Sequence, residues 1–343
     1  MKNTVFIMFI ITLVSLTSCE NQDWEFDDYE YQSVYFAYQY PVRTLTLGED
    51  VFDTSLDNEH KSKILATLGG VYENNKDITI DFSVDNSLVS DLLFEAGKEP
   101  MVPLPSSYYN LASDKMIISK GEIMGGVEVQ FTDAFFEDPL ATKRNYVIPI
   151  RMENVINADT ILSGEALVAN PRRGISSDWS IQPKDFIFYA VKYVNTWHGI
   201  YLRRGQDVIT GNNGNTLLDD VITRHEEYVE YDEVFNVNTQ SLSKSGMQVV
   251  FKDENGNNIN CDLILSFDND GNCTVSSDSN DFTAIGNGKF IKNGEKNSWG
   301  SKDRDALYLD YEINMEEMRV ITKDTLVLRN RGVTAETFSP VIQ

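Results

Sequence analysis

A chain of 343 residues is long enough for two domains of roughly 150 residues, each able to bury its own core. Its 53 acidic residues outnumber 29 basic ones, for a formal net charge of −24. That sign argues against nucleic acid and anionic lipid surfaces as partners, because both select clustered Lys and Arg. Its histidines, His60, His198 and His225, are scattered without ligand spacing, so neither a metal site nor a cofactor is expected.

The chain starts with Lys2 and a mostly apolar run from Val5 to Leu16, which has the charged and apolar regions of an export signal. That run is too short to cross a bilayer, which takes roughly 20 residues. Leu16, Thr17, Ser18 and Cys19 resemble a bacterial lipobox, in which the cysteine is acylated and becomes the first mature residue. Loss of residues 1–18 would remove Lys2 and no acid, leaving −24 − 1 = −25. An acylated Cys19 would hold the protein on a membrane without spanning it. Residues 19–31 form an acidic tether, and Glu20 to Glu30 resembles the signal that sends Bacteroidetes lipoproteins to the cell surface. The expected location is the outer membrane, facing the exterior.

Residues 32–169 alternate apolar and polar side chains in short runs. Ser33 to Tyr38, Lys63 to Val71, Asp77 to Val84, Gly126 to Thr132, Asn145 to Met152 and Gly164 to Val168 read as strands. Ser87 to Phe94 hints at a helical turn. Short strands without intervening helices predict an immunoglobulin-like β-sandwich. Residues 170–185, with two prolines, a glycine and several serines, read as a linker. Residues 186–343 return to strand patterning, opening on Ile187, Tyr189, Val191 and Tyr193, which share one face. Gln248 to Lys252, Ile259 to Phe267, Cys273 to Ser277, Ala306 to Ile313 and Thr325 to Arg329 follow, and Arg224 to Phe235 is open between strand and helix. An antiparallel barrel or sandwich of roughly eight strands fits that length.

INCDLILSFDNDGNCTVSS reads as a hairpin turning at Asp268 to Gly271, with Cys273 opposite about Ser266. Cys261 then lies too far along the strand for a disulfide, which needs Cα atoms within about 7 Å. The Asp268, Asp270, Asn272 run begins like a calcium loop but has Cys273 and Ser279 where glycine and glutamate belong, so the turn reading stands.

LGGVYENNKDITIDFSVDNSL, LPSSYYNL, IISKGEIMGGVEVQF and YVIPIRM resemble a Bacteroidetes domain that precedes the barrel of certain family-eighteen endo-β-N-acetylglucosaminidases. KYVNTWHGIYLRRG, RHEEYVEYDEVFNVNT and WGSKDRDALYLDYEI resemble the lipocalin-like domains paired with it. The resemblance implies a surface glycan-binding lipoprotein of a polysaccharide-utilisation locus, with host N-glycans or mannose-rich glycans as the leading ligands. It implies a TonB-dependent transporter and its lid lipoprotein as partners, and it supplies no catalytic residues. The family pattern also suggests that Tyr108 and Tyr109 lock the sandwich.

Sugar binding asks for flat aromatic faces beside hydrogen-bonding side chains. Trp299, Trp179, Trp197 and Tyr201 are the candidates. Trp299 lies in the glycine- and lysine-rich loop GNGKFIKNGEKNSWG. Trp179 lies in the linker, where it would wedge the two domains together. Trp197, with Tyr201, has the look of a lipocalin-type first strand, whose tryptophan plugs the barrel floor, and core is the stronger reading there. Asp305, Tyr308, Asp310 and Glu312 are similar to the family-eighteen catalytic signature, but a tyrosine replaces its middle acid. Tyr308, Asp310 and Glu312 would share the outer face of a strand. The expected function is therefore non-catalytic glycan capture, with a glycosidase or a fimbrial protein as alternatives.

Overall fold

The computed structural model describes residues 31–343; Cys19, the expected signal and nearly all of the tether lie outside them. The described chain is almost entirely β, built as a sandwich followed by an antiparallel barrel. In the sandwich, β1 is Ser33–Tyr35, β2 Pro41–Thr46, β3 Lys61–Gly69, β4 Ile78–Val84, β5 Lys115–Ile118, β6 Met124–Phe131, β7 Tyr146–Ile156 and β8 Phe186–Val194. Their lateral order is β1-β3-β6-β5-β4-β7-β8-β2. Between β5 and β6 only Ile117 and Gly126 pair. Alternation does the rest: Ile64, Ala66 and Leu68 of β3 meet Val127 and Val129 of β6 in one core. The helical turn expected near Ser87 is the short 3-10 segment Asn86–Val89. Tyr108 packs edge-on against Tyr146 and donates to Asp138 at 3.1 Å, which fastens its loop to the sandwich.

The boundary expected at residue 186 is corrected by β8. This strand pairs antiparallel with β7 and parallel with β2, so it is central to the sandwich. Ile187, Tyr189, Val191 and Tyr193 do share one face, in the main core. Phe186, Phe188 and Ala190 fill a second core with Val89, Phe94, Ile175 and Phe338. A strand covered on both faces reads as a continuous apolar run, and its position in the chain carries no mark of the sheet it joins. Residues 170–185 are likewise packed rather than linking: Arg173 grips buried Asp185 with two bonds, at 3.0 and 2.8 Å, and Ile175 enters the second core. The chain also returns after the barrel, where Glu336–Thr337 pairs with β2 and Val341–Ile342 with Leu92–Leu93. The sandwich thus takes both flanks of the barrel, which begins at about Asn195.

The barrel strands are β9 Gly199–Gly211, β11 Glu233–Thr239, β12 Lys244–Lys252, β13 Asn258–Phe267, β14 Asn272–Ser276, β15 Phe282–Glu295, β16 Arg304–Met315 and β17 Met318–Asn330. They pair in that order, and β9 with β17 closes the ring of eight. A further strand, β10 (Asp220–Arg224), lies against the second half of β9. The ambiguous Arg224 to Phe235 resolves into the end of β10, a 3-10 turn at Val229–Tyr231 and the start of β11. Most of the expected glycine-rich loop is instead the 14-residue strand β15. Its glycines are there for room, since a Cβ on Gly286 would stand 2.4 Å from that of Tyr311. In the hairpin, Cys273 sits opposite Phe267, one residue from the expected Ser266, and Cys261 opposite Val249. Both are buried free thiols, pushed up by burial to about 12 and about 11.

The barrel interior is mostly apolar, with one ionic layer across it. Arg203 donates to Asp324 at 3.0 and 2.9 Å, and Arg224 bridges Asp324 at 2.9 Å and Asp207 at 2.8 Å. Thr322 closes on Asp207 at 2.7 Å and the Tyr311 hydroxyl on Asp324 at 3.0 Å. Leu307, Leu309, Tyr311 and Ile313 point inward, so Tyr308, Asp310 and Glu312 face out as expected. Asp310 pairs with Lys323 and Glu312 with Arg319. The bonds from Arg319 and Asn314 hold the Glu312 carboxyl down at about 2, so it carries no proton to donate near neutral pH.

Candidate functional site

The site is built where the sandwich meets one end of the barrel. Asn195 is fully buried at the junction; its amide donates to the carbonyls of Ser241 and Lys244 at 2.8 and 2.9 Å, while its oxygen accepts from the amides of Trp197 and His198. Arg331, at the end of β17, is the other tie. Its guanidinium donates to the carbonyls of Leu47 (3.0 Å) and Glu49 (2.8 Å) in the sandwich and of Asn195 (2.5 Å) and His198 (2.7 Å) at the junction. Gly48, at φ +87°, passes so close to Thr196 that a Cβ would stand 2.9 Å from its methyl. Lys292 of β15 pairs with Glu49 on the outside of the seam.

These ties fix the loop after β2 against the barrel rim and leave a cleft of about 610 Å3 between them. Val51, Phe52, Trp299, Leu328 and Val333 give it apolar surface, while Asp50, Lys292, Asn293, Arg304 and Asp305 give it polar groups. Trp299 stands on a 3-10 turn, its indole N–H donating to the Leu328 carbonyl at 3.1 Å. The Arg304 guanidinium lies 3.3 Å from the indole centroid and covers one face of the ring. Across the cleft Phe52 is 42% exposed and Val51 fully so. An indole held in place beside mixed donors and acceptors can stack on the C–H face of a pyranose and bind its hydroxyls.

The other aromatic candidates are elsewhere. Tyr201 is 0% exposed inside the barrel, its hydroxyl donating to the Trp197 carbonyl, and presents nothing to a ligand. Trp197 stacks flat on Phe267 at 4.0 Å, half-buried against the barrel core. Trp179 does not wedge the domains: it is buried against the sandwich with its N–H on the Arg172 carbonyl at 2.9 Å, because residues 170–185 fold back on that domain. Arg331, Val51 and Phe52 escape sequence reasoning, since GEDVF and RNRG carry no local signal and meet only in three dimensions.

His198 makes the seam sensitive to acid. Its Nδ1 accepts from the Thr239 amide at 3.2 Å, and burial, with the charges of Arg331 and Lys192, pushes it down from 6.5 to about 4. Between those values the unfolded chain binds a proton that the folded chain does not, so stability present above pH 6.5 is lost as pH falls towards 4. The loss amounts to at most about 3 kcal/mol. Urea melts at pH 7 and 4.5 should show a smaller decline for His198→Asn, which keeps an acceptor without a proton to gain; equal declines would remove His198 from the account.

Residues 29–159 match a family described only as an N-terminal domain, and residues 196–332 match the Domain of unknown function DUF5627. No curated protein matches the chain in sequence. A structural-genomics protein of unknown function from Bacteroides ovatus is 49% identical, with a TM-score of 0.87 over 91% of this chain and 99% of its own. A second Bacteroides ovatus structural-genomics protein is 12% identical with a TM-score of 0.40, covering 89% of this chain and 97% of its own. An auxiliary nutrient binding protein from Bacteroides thetaiotaomicron is 14% identical with a TM-score of 0.38, covering 84% and 90%. Those two scores are too low to support a structural argument. The identity to the first, sustained through both sandwich and barrel, is decisive: this chain belongs to the family of that Bacteroides ovatus protein.

Proposed function

We propose that the protein captures glycans at the seam between sandwich and barrel, without transforming them. The observation that carries this reading is Trp299, an indole pinned by Leu328 and Arg304 inside a cleft to which both domains contribute. The cleft holds acids and bases in equal number, Glu49, Asp50, Asp303 and Asp305 against Lys292, Arg304, Arg329 and Arg331, which suits a neutral ligand. Host N-glycans and mannose-rich glycans are the first ligands to test. Attachment through Cys19 to the outer membrane, facing outward, belongs to the same reading, with a TonB-dependent transporter and its lid lipoprotein receiving the captured glycan. The support for non-catalytic capture is the outward strand face on which Asp310 and Glu312 are paired to Lys323 and Arg319.

The test is a glycan panel on the soluble chain from Glu20 onward, with product analysis of the same incubations. Binding without new products is the expected outcome, and released reducing ends would replace this reading with a glycosidase. Trp299→Ala should weaken binding about tenfold or more, a loss of about 1.4 kcal/mol, while moving the melting temperature little. A large fall in melting temperature would return the ring to a structural role. Protease shaving of intact cells should remove the protein if it faces the exterior.

A further inference from the structure

The barrel wall has a second opening. Strands β11 and β12 pair only at Asn238 with Gly246 and Thr239 with Ser245. Beyond that point they diverge, so the facing edges of Glu233 to Val237 and of Met247 to Lys252 have no strand beside them among the described residues. The wedge between them holds about 670 Å3. Its floor is the inward side chains Phe235, Met247 and Leu263, and its rim carries the amides of Asn236, Asn238, Gln240 and Gln248. Asn236 and Asn238 make no side-chain hydrogen bond among the described residues, while Gln248 is held on Asp262 at 2.8 Å. Two and five residues before β11, next to the wide end along the chain, Tyr231 and Tyr228 stand edge to face at 6.0 Å, 73% and 56% exposed.

The geometry points to this wedge as a second carbohydrate site, for the end of a neutral oligosaccharide. An unpaired strand edge presents alternating N–H donors and C=O acceptors, and a sugar hydroxyl both donates and accepts. Side-chain amides extend the same mixed character outward, Val234, 53% exposed on the rim, gives apolar surface for a pyranose C–H face, and the exposed tyrosines offer stacking surface. The ionisable groups on the rim, Glu233 and Asp262, are acidic, which disfavours an anionic ligand. An extended peptide added as a strand is the competing occupant. The wedge disfavours it, because its width closes to direct pairing at Asn238 and Gly246, whereas strand addition needs a uniform spacing of about 4.8 Å along the edge. The site stands apart from the Trp299 cleft, so either can fail alone.

Hydrogen exchange by mass spectrometry on the chain from Glu20, with neutral oligomers of mannose, glucose, galactose and N-acetylglucosamine as probes, separates the outcomes. At least one oligomer should slow exchange in peptides covering residues 233–239 and 244–252, and should still do so in Trp299→Ala. The double variant Asn236→Ala, Gln248→Ala should lose that protection and bind the oligomer at this site about tenfold more weakly, with an unchanged melting temperature because both side chains are exposed. Protection confined to residues 47–53 and 292–304 would overturn the second site and leave the seam cleft standing. Protection of the wedge strands by none of the four oligomers, or only by an added extended peptide, would also overturn it.

Discussion

Replacing Arg331 by Met should cost the protein about 3 kcal/mol or more, with the sandwich and barrel ceasing to melt together. The guanidinium is buried and meets four carbonyls, two from the loop after β2 and two from the junction. Methionine fills similar volume but takes the guanidinium donor from all four carbonyls; Asn195 keeps the His198 amide at 3.2 Å, and each of the other three costs about 1 kcal/mol or more where water does not enter. Burial lowers the Arg331 pKa below the usual arginine value, and among the described residues its direct hydrogen-bond partners are carbonyl dipoles alone. Lysine, a point donor on a flexible stem, cannot reach four divergent acceptors, so Arg331→Lys should recover only part of the loss. Calorimetry should show one transition in the wild type and an earlier, broadened or split one in the variant. An unchanged single transition would mean that the junction is held by Asn195 and the shared strands alone.

The second large effect is inside the barrel. Asp324 accepts from Arg203, Arg224 and the Tyr311 hydroxyl and is nearly inaccessible to water. Asp324→Leu leaves two guanidinium groups with one buried acid, Asp207, and should destabilise by about 3–5 kcal/mol. The buried layer pairs two cations with two anions, and half-exposed Glu233 stands 3.5 Å from Arg203 and 3.9 Å from Arg224 at its edge, so removing one buried charge of each sign is a different perturbation. Arg203→Met combined with Asp324→Leu keeps the Arg224–Asp207 pair and should recover most of the stability, because an ion pair taken out of water gains little over an apolar replacement. Urea midpoints of the single and double variants decide it. A double variant as unstable as the single one would show that the layer's hydrogen-bond geometry, rather than its charge balance, sets the barrel's stability.

The legible elements were those with one wet face. INCDLILSF alternates so plainly that strand β13 is readable to within a residue, and the outward placement of Asp310 and Glu312 follows from the same period. Strand β8 is dry on both sides, and nothing within FIFYAVKYV says which neighbours cover it. Strand β15 is disguised differently: glycines and lysines that look like a loop are needed where Tyr311 crowds the wall and where side chains face solvent. For the candidate site, a tryptophan in a polar turn could be picked out, but not what surrounds it. Arg331 and Glu49 are 282 residues apart, and a guanidinium seeking carbonyls leaves no complementary charge in the sequence to betray the match. The wedge was hidden too, since it arises from pairing that stops, and patterning records only pairing that continues.

The return of residues 336–342 to the sandwich has a consequence for how the molecule is made. Phe338 seats edge-on against Phe94 at 5.0 Å and beside Tyr40, sealing a core whose other members come from the first two hundred residues. A ribosome or export channel releases the main sandwich core, complete by Tyr193, before the barrel, but the second core stays open on its Phe338 side until the barrel's continuous stretch has emerged. The second core would then be the last part of the molecule to close, and a clip after residue 332 would leave the barrel and the main sandwich core in place while opening that one layer.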